Sequence, residues 1–184
     1  MEKKDLKPAG VFKYFEEICQ VPRPSKKEEK IIAYLKAFGV KHNLETNVDE
    51  AGNVLIKKPA TPGKENLQTV ILQSHIDMVC EKNNDVQHDF LTDPIETEID
   101  GEWLKAKGTT LGADNGIGVA TELAILADDS IEHGPLECLF TVDEETGLTG
   151  AFELKEGFMS GDIPVSYTHL RAHETRGTLV CRLL

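Results

Sequence analysis

The sequence predicts an α/β fold, a mixed sheet flanked by helices, and three observations carry that prediction. Apolar runs of strand length alternate with stretches of helical periodicity. The runs Thr69-Val70-Ile71-Leu72-Gln73 and Leu136 to Val142 are apolar enough to be buried strands inside a sheet. Each run borders a polar cluster able to carry chemistry, and α/β sheets gather their sites at the carboxyl ends of strands.

Val11 to Cys19 places Val11, Phe12, Phe15, Ile18 and Cys19 at the three-to-four spacing of an amphipathic helix. Val21-Pro22-Arg23-Pro24 ends it, because proline cannot continue a helix and restricts the residue before it. Ser25-Lys26-Lys27-Glu28 fits a capping box, with Ser25 capping the next helix and Glu28 reaching back to the cap's amide. That helix should run to about Phe38 and stop at Gly39. Asn53-Val54-Leu55-Ile56 reads as a strand, separated from Thr69–Gln73 by the Pro/Gly-bearing loop Pro59 to Asn66. Asp114 to about Ala127 reads as a helix with Ile117, Ala120, Leu123, Ala124 and Ala127 inward.

Bulk properties exclude several function classes. A chain of 184 residues, 40% hydrophobic, can bury one substantial core, and one globular domain is the default. Its net charge of −12 repels phosphate backbones and anionic bilayers, which argues against nucleic acid or membrane surfaces as partners. No run approaches the length of a membrane span and no signal-like apolar run follows Met1-Glu2-Lys3-Lys4-Asp5, so a soluble cytoplasmic protein is expected. The four cysteines form no C-x-x-C pair and read as reduced thiols.

Three clusters carry candidate chemistry: Ser74-His75-Ile76-Asp77, Leu111-Gly112-Ala113-Asp114-Asn115-Gly116 and Asp143-Glu144-Glu145-Thr146-Gly147. In an extended His75-Ile76-Asp77, side chains two apart share a side, so Asp77 can accept a hydrogen bond from one imidazole nitrogen while the other binds a metal. A strand-end histidine packed beside a solvated aspartate is the plainer alternative. Asp114, taken alone, reads as a helix N-cap among glycines. Its functional alternative is a carboxylate bridging two cations about 3.5–4 Å apart. The glycine order matches neither a P-loop nor a dinucleotide fingerprint. Asp143-Glu144-Glu145 would ordinarily be an exposed acidic loop, yet adjacent carboxylates also let one bind metal while its neighbour takes a proton from activated water.

Val21-Pro22-Arg23-Pro24-Ser25, His75-Ile76-Asp77-Met78-Val79, Gly108 to Gly116 and Asp143 to Leu148 together resemble the aminoacyl-histidine dipeptidase (cytosol non-specific dipeptidase) branch of the dizinc metallopeptidases. Carnosinases, glutamate carboxypeptidases and aminoacylases belong to the same group. The similarity covers about residues 8–163. It implies two Zn2+ ions, with Mn2+ or Co2+ as substitutes. His75 and Asp114 would bind one ion, Asp114 and Glu145 the other. Asp77 would orient His75, and Glu144 would be the general base, passing its proton to the leaving amine. The implied substrates are short unblocked peptides, dipeptides above all, including those ending in histidine. A homodimer is implied for the full-length enzyme.

The chain also departs from that pattern. Residues 1–163 read as the N-terminal part of the catalytic domain, whereas 164–184 read as a poorly ordered, non-native tail. The acidity stops there, and Ser166 to Glu174 resembles translated adapter sequence. Pro164 falls where relatives continue an apolar strand toward a further Asp ligand, and the corresponding position lies near Thr168. The dimerisation or lid domain and a distant histidine ligand are missing. His169 and His173 would converge only on a helix, for which the tail shows no pattern. The expected activity of this chain is therefore weak or absent. An N-acyl amino acid deacylase or carboxypeptidase, and a non-catalytic metal-binding fragment, are the competing readings.

Overall fold

The computed structural model describes residues 3–166 and 180–182. Two helices, α1 (Ala9–Cys19) and α2 (Glu29–Lys41), precede a first hairpin of β1 (Glu45–Val48) and β2 (Val54–Lys58). Then come β3 (Val70–His75), the hairpin strands β4 (Thr97–Asp100) and β5 (Trp103–Ala106), α3 (Ala113–Ala127) and β6 (Leu136–Thr141). Two single-turn helices, α4 (Glu144–Gly147) and α5 (Thr149–Phe152), lead to β7 (Ile163–Ser166) and β8 (Val180–Arg182).

The main sheet has the order β1-β2-β6-β3-β7. β6, β3 and β7 run parallel, while β2 pairs antiparallel with both β6 and β1, giving the mixed sheet expected of the α/β class. Alternation along the strands sorts the apolar residues between two faces. Val54, Ile56, Leu72, Cys138 and Phe140 join Phe15, Ile18, Ile31, Leu35 and Leu123 in the larger core, beneath the helices. Leu55, Ile71 and Leu139 face the other way into a smaller cluster with Leu154, Phe158 and Met159. A second, antiparallel sheet orders as β4-β5-β8.

Several boundaries differ from expectation, each for a tertiary reason. α2 runs through Gly39 to Lys41, and Asn43 takes the left-handed conformation beyond it. Gly39 is needed for close approach instead, since a Cβ there would collide with the Thr46 side chain on β1. The inner face of α3 is Val119, Ala120, Leu123 and Leu126, with Ile117, Ala124 and Ala127 only partly buried. Pro164 is accommodated in β7, which pairs in the described residues only with β3, so a missing amide leaves the ladder intact. The expectations for Thr168, His169, His173 and most of the tail fall on 167–179 and 183–184, outside the described residues.

Asn53 anchors the turn after β6. Its amide donates to Asp49 Oδ2 at 2.7 Å and Gly150 O at 2.8 Å, and its Oδ1 accepts the Val142 amide at 3.1 Å. A Cβ on Gly150 would strike Asn53 Oδ1 and lie 2.6 Å from Val142 O. Gly150→Ala is therefore expected to destabilise the fold by about 1–3 kcal/mol, read as a lower urea midpoint at unchanged m-value. An unchanged midpoint would mean that the turn relaxes freely.

Candidate metal centre

β3 delivers His75 at its carboxyl end, 2% exposed, and the chain turns at once to bury Asp77. His75 Nδ1 lies 3.3 Å from Asp77 Oδ1, an ion-pair contact off the line of a well-formed hydrogen bond. The opposite nitrogen, Nε2, is 3.1 Å from Asp114 Oδ1 and 3.9 Å from Glu144 Oε2. His75, Asp114 and Glu145 each offer a ligand atom, all within 4.8 Å of one another. The five predicted site residues thus come together, supplied by the end of β3, the start of α3 and the turn after the adjacent parallel strand β6.

Local backbone explains how three separate segments meet. Gly112 adopts the left-handed region at φ +67 and precedes α3, whose first turn departs from helical angles at Asp114 and Asn115. The Asp114–Asn115 peptide is cis. No side chain caps α3, so Asp114 does not serve as its cap, and its carboxylate, about half exposed, lies beside His75 Nε2. Asp143 also takes a left-handed conformation, at φ 51, which turns the chain sharply so that Glu144 and Glu145 present their amides to Asp77. Glu144 N–H donates to Asp77 Oδ1 at 3.0 Å and Glu145 N–H to Oδ2 at 3.1 Å.

The electrostatics follow from this crowding. Burial would raise the Asp77 carboxyl, but the adjacent His75 imidazole and hydrogen bonds from Ser25 and the two amides hold it down at about 2. Burial works against charge on His75 as well, yet contacts with Asp114, Asp77 and Glu144 lift the imidazole to about 9. Glu145 is pushed up to about 7 by burial first, then by repulsion from Asp114, Glu144 and Asp77, with His75 opposing. An imidazole and carboxylates form the N/O donor set that suits zinc and its first-row neighbours. A carboxylate behind the imidazole is the usual partner of a metal-bound histidine. These residues fit a divalent cation, whose charge would relieve the repulsion that lifts Glu145.

A sequence-model match to peptidase family M20/M25/M40 spans residues 71–181. The chain belongs to this family. It is 49% identical over 165 residues to the cytosol non-specific dipeptidase of Escherichia coli (strain K12), covering 90% of this chain and 34% of that protein. The crystal structure of aminoacylhistidine dipeptidase from Vibrio alginolyticus superposes with a TM-score of 0.88 at 53% identity, again over 90% of this chain and 34% of the other. An aminopeptidase PepT structure from Bacillus cereus gives 0.73 at 25% identity, over 88% and 43%. The chain spans about a third of the length of the two dipeptidases. The resemblance read from the motifs is borne out, and M20-family membership brings with it a metal cofactor. No helix among the described residues is long and apolar enough to cross a membrane.

Within this M20-family chain, two residues expected to form a capping box do something else. α2 begins at Glu29 and has no side-chain cap. Ser25 Oγ instead donates to Asp77 Oδ2 at 2.7 Å, a charge-assisted bond to an ionised, buried carboxylate. Glu28 accepts from Lys26 N at 2.9 Å and from Asp143 N at 3.0 Å, which fastens α2 to the acidic turn. Glu28, Asp77 and Asp143 form a second buried carboxylate group. Its acceptors are engaged internally, Asp143 by the hydroxyls of Thr146 and Thr149, so this group shapes the turn.

Proposed function

We propose that this site hydrolyses the peptide bond of short unblocked peptides, dipeptides foremost and those with a C-terminal histidine among them. The observation that carries the reading is the convergence on one buried imidazole, His75, of carboxylates from three separate segments. His75 and Asp114 would hold one divalent ion; Asp114 and Glu145 would hold the second. Zn2+ is the favoured ion, with Mn2+ or Co2+ able to replace it. When bound, the ions polarise the substrate carbonyl and lower the pKa of water at the site to about 7. Asp77 fixes the orientation of His75 from behind, a role supported by its buried, fully ionised carboxylate. Glu144, beside His75 Nε2 and about a third exposed, reaches the open side of the site. It takes a proton from the attacking water and returns it to the departing amine, a transfer that general-base catalysis requires of a positioned carboxylate.

The dipeptidase names of the relatives support the substrate class, and the cytosolic name of the Escherichia coli protein supports a cytoplasmic location. A homodimer is proposed for the full-length enzyme. Because those relatives are about three times longer, this chain alone is proposed to turn over weakly or not at all. The assay sets Xaa-His and other dipeptides against N-acetyl amino acids, with Zn2+, Mn2+ or Co2+, beside the Escherichia coli relative. Any cleavage is expected to be slow, confined to free dipeptides, and lost in Glu144→Gln while metal binding persists. Cleavage of N-acetyl amino acids alone would favour the deacylase reading. Turnover equal to the relative's would overturn the weak-catalyst reading.

A further inference from the structure

The six residues from Arg23 to Glu28 touch all three ligand-bearing segments. Glu28 holds the acidic turn and Ser25 holds Asp77, as described above. Arg23 reaches furthest. It is 3% exposed, and its guanidinium is spent on backbone carbonyls rather than on a carboxylate. Nη1 donates to Ile76 O and Asp77 O, both at 3.1 Å, and Nη2 donates to Gly112 O at 2.5 Å. One planar fork thus bridges the strand end that carries His75 and Asp77 to the glycine loop that carries Asp114. The chain is pinned alongside as well, with Met78 N–H donating to Arg23 O at 3.1 Å and Pro24 bridged to Met78.

The surroundings are shaped to this guanidinium. A Cβ on Gly112 would lie 2.5 Å from Nη2, and one on Gly116 would lie 2.6 Å from it. Both glycines of the Asp114 loop are therefore places where the backbone must close on Arg23. The positive charge also acts on Asp77 and Glu145 and offsets part of the carboxylate repulsion.

We propose that Arg23 is a positioning residue of the metal centre: its buried guanidinium ties the His75 strand end to the Asp114 loop and so sets the gap between these two ligands. The proposal rests on the reading of His75, Asp114 and Glu145 as ligands. Lysine cannot replace arginine here, because a single ammonium point charge cannot serve carbonyls on two sides as a planar fork does.

Co2+ titration of the 184-residue chain, followed by visible absorption, tests this. Arg23→Lys and Arg23→Met are expected to weaken Co2+ binding about 10–100-fold, the usual cost of losing an outer partner of a metal ligand, and to change the d–d band pattern. Leu55→Ala, in the small cluster on the far face of the sheet, serves as the control. It is expected to lower the melting temperature while leaving both the affinity and the bands of the parent. Should Arg23→Met fail to fold, Arg23→Lys decides alone. Binding by Arg23→Lys within about threefold of the parent, with unchanged bands, overturns the proposal, as would equal weakening by Leu55→Ala. If the parent chain binds no Co2+, the ligand assignment itself fails and this inference falls with it, a result distinct from either of the others.

Discussion

His75→Ala is expected to weaken Co2+ or Zn2+ binding by more than about 100-fold, beyond the cost of losing an outer-sphere partner. Nε2 is the only nitrogen in the three-ligand group, and the remaining donors are carboxylates that repel one another. Removing the imidazole also strips Asp77 of its charged neighbour while leaving that carboxylate buried. The metal-free protein should register the same loss through pH. The folded His75 sits at about 9 against an ordinary 6.5, so the stability contributed by the imidazolium is complete below about 6.5 and disappears as pH rises through about 9. Isothermal titration with each ion, and melting curves of the metal-free variant at pH 6 and pH 9, check both statements. Retained affinity in His75→Ala would remove His75 from the ligand set.

Metal affinity is expected to climb steeply with pH, by about 1000-fold between pH 6 and pH 8. A metal requires neutral imidazole and ionised carboxylate, so filling the site displaces whatever protons its ligands hold. Below about 7 both His75 and Glu145 carry a proton, and filling the two-ion site releases two; between about 7 and about 9 only His75 does, and one is released. The logarithm of affinity should therefore rise with a slope near two in the first range and near one in the second. Proton release measured in buffers of different ionisation enthalpy gives the same counts independently. A flat profile would mean that neither group titrates with the ion.

Much of this arrangement could be read from the residues, because the informative patterns were local. The apolar runs that became β3 and β6 name the parallel core of the sheet, and the two-residue spacing of His75 and Asp77 puts both at one strand end. What escaped had tertiary causes. Ser25 and Glu28 satisfy a helix-capping pattern, yet Ser25 turns its hydroxyl to buried Asp77 and Glu28 accepts from the Asp143 amide across the site. Arg23 sits between two prolines in what looks like a surface turn, and nothing nearby in the chain signals that it will be buried under the site. Gly39 resembles a helix stop until Thr46 is placed against it. The hairpin β4–β5 did carry a signal: Asp100-Gly101 lies at its turn, with Gly101 at φ +62, between short runs of strand-forming residues.

The order of assembly follows from where the donors lie. His75 and Asp114 are 39 positions apart, and the acidic turn arrives only after β6 has zipped beside β3. Such long-range parallel pairing is slow to form, and no short stretch of the unfolded polypeptide holds even two of these donors near each other. A cation therefore cannot seed collapse of this protein as zinc does in a finger domain. It can only lock a scaffold already built, so chelators should strip it and leave the folded chain standing.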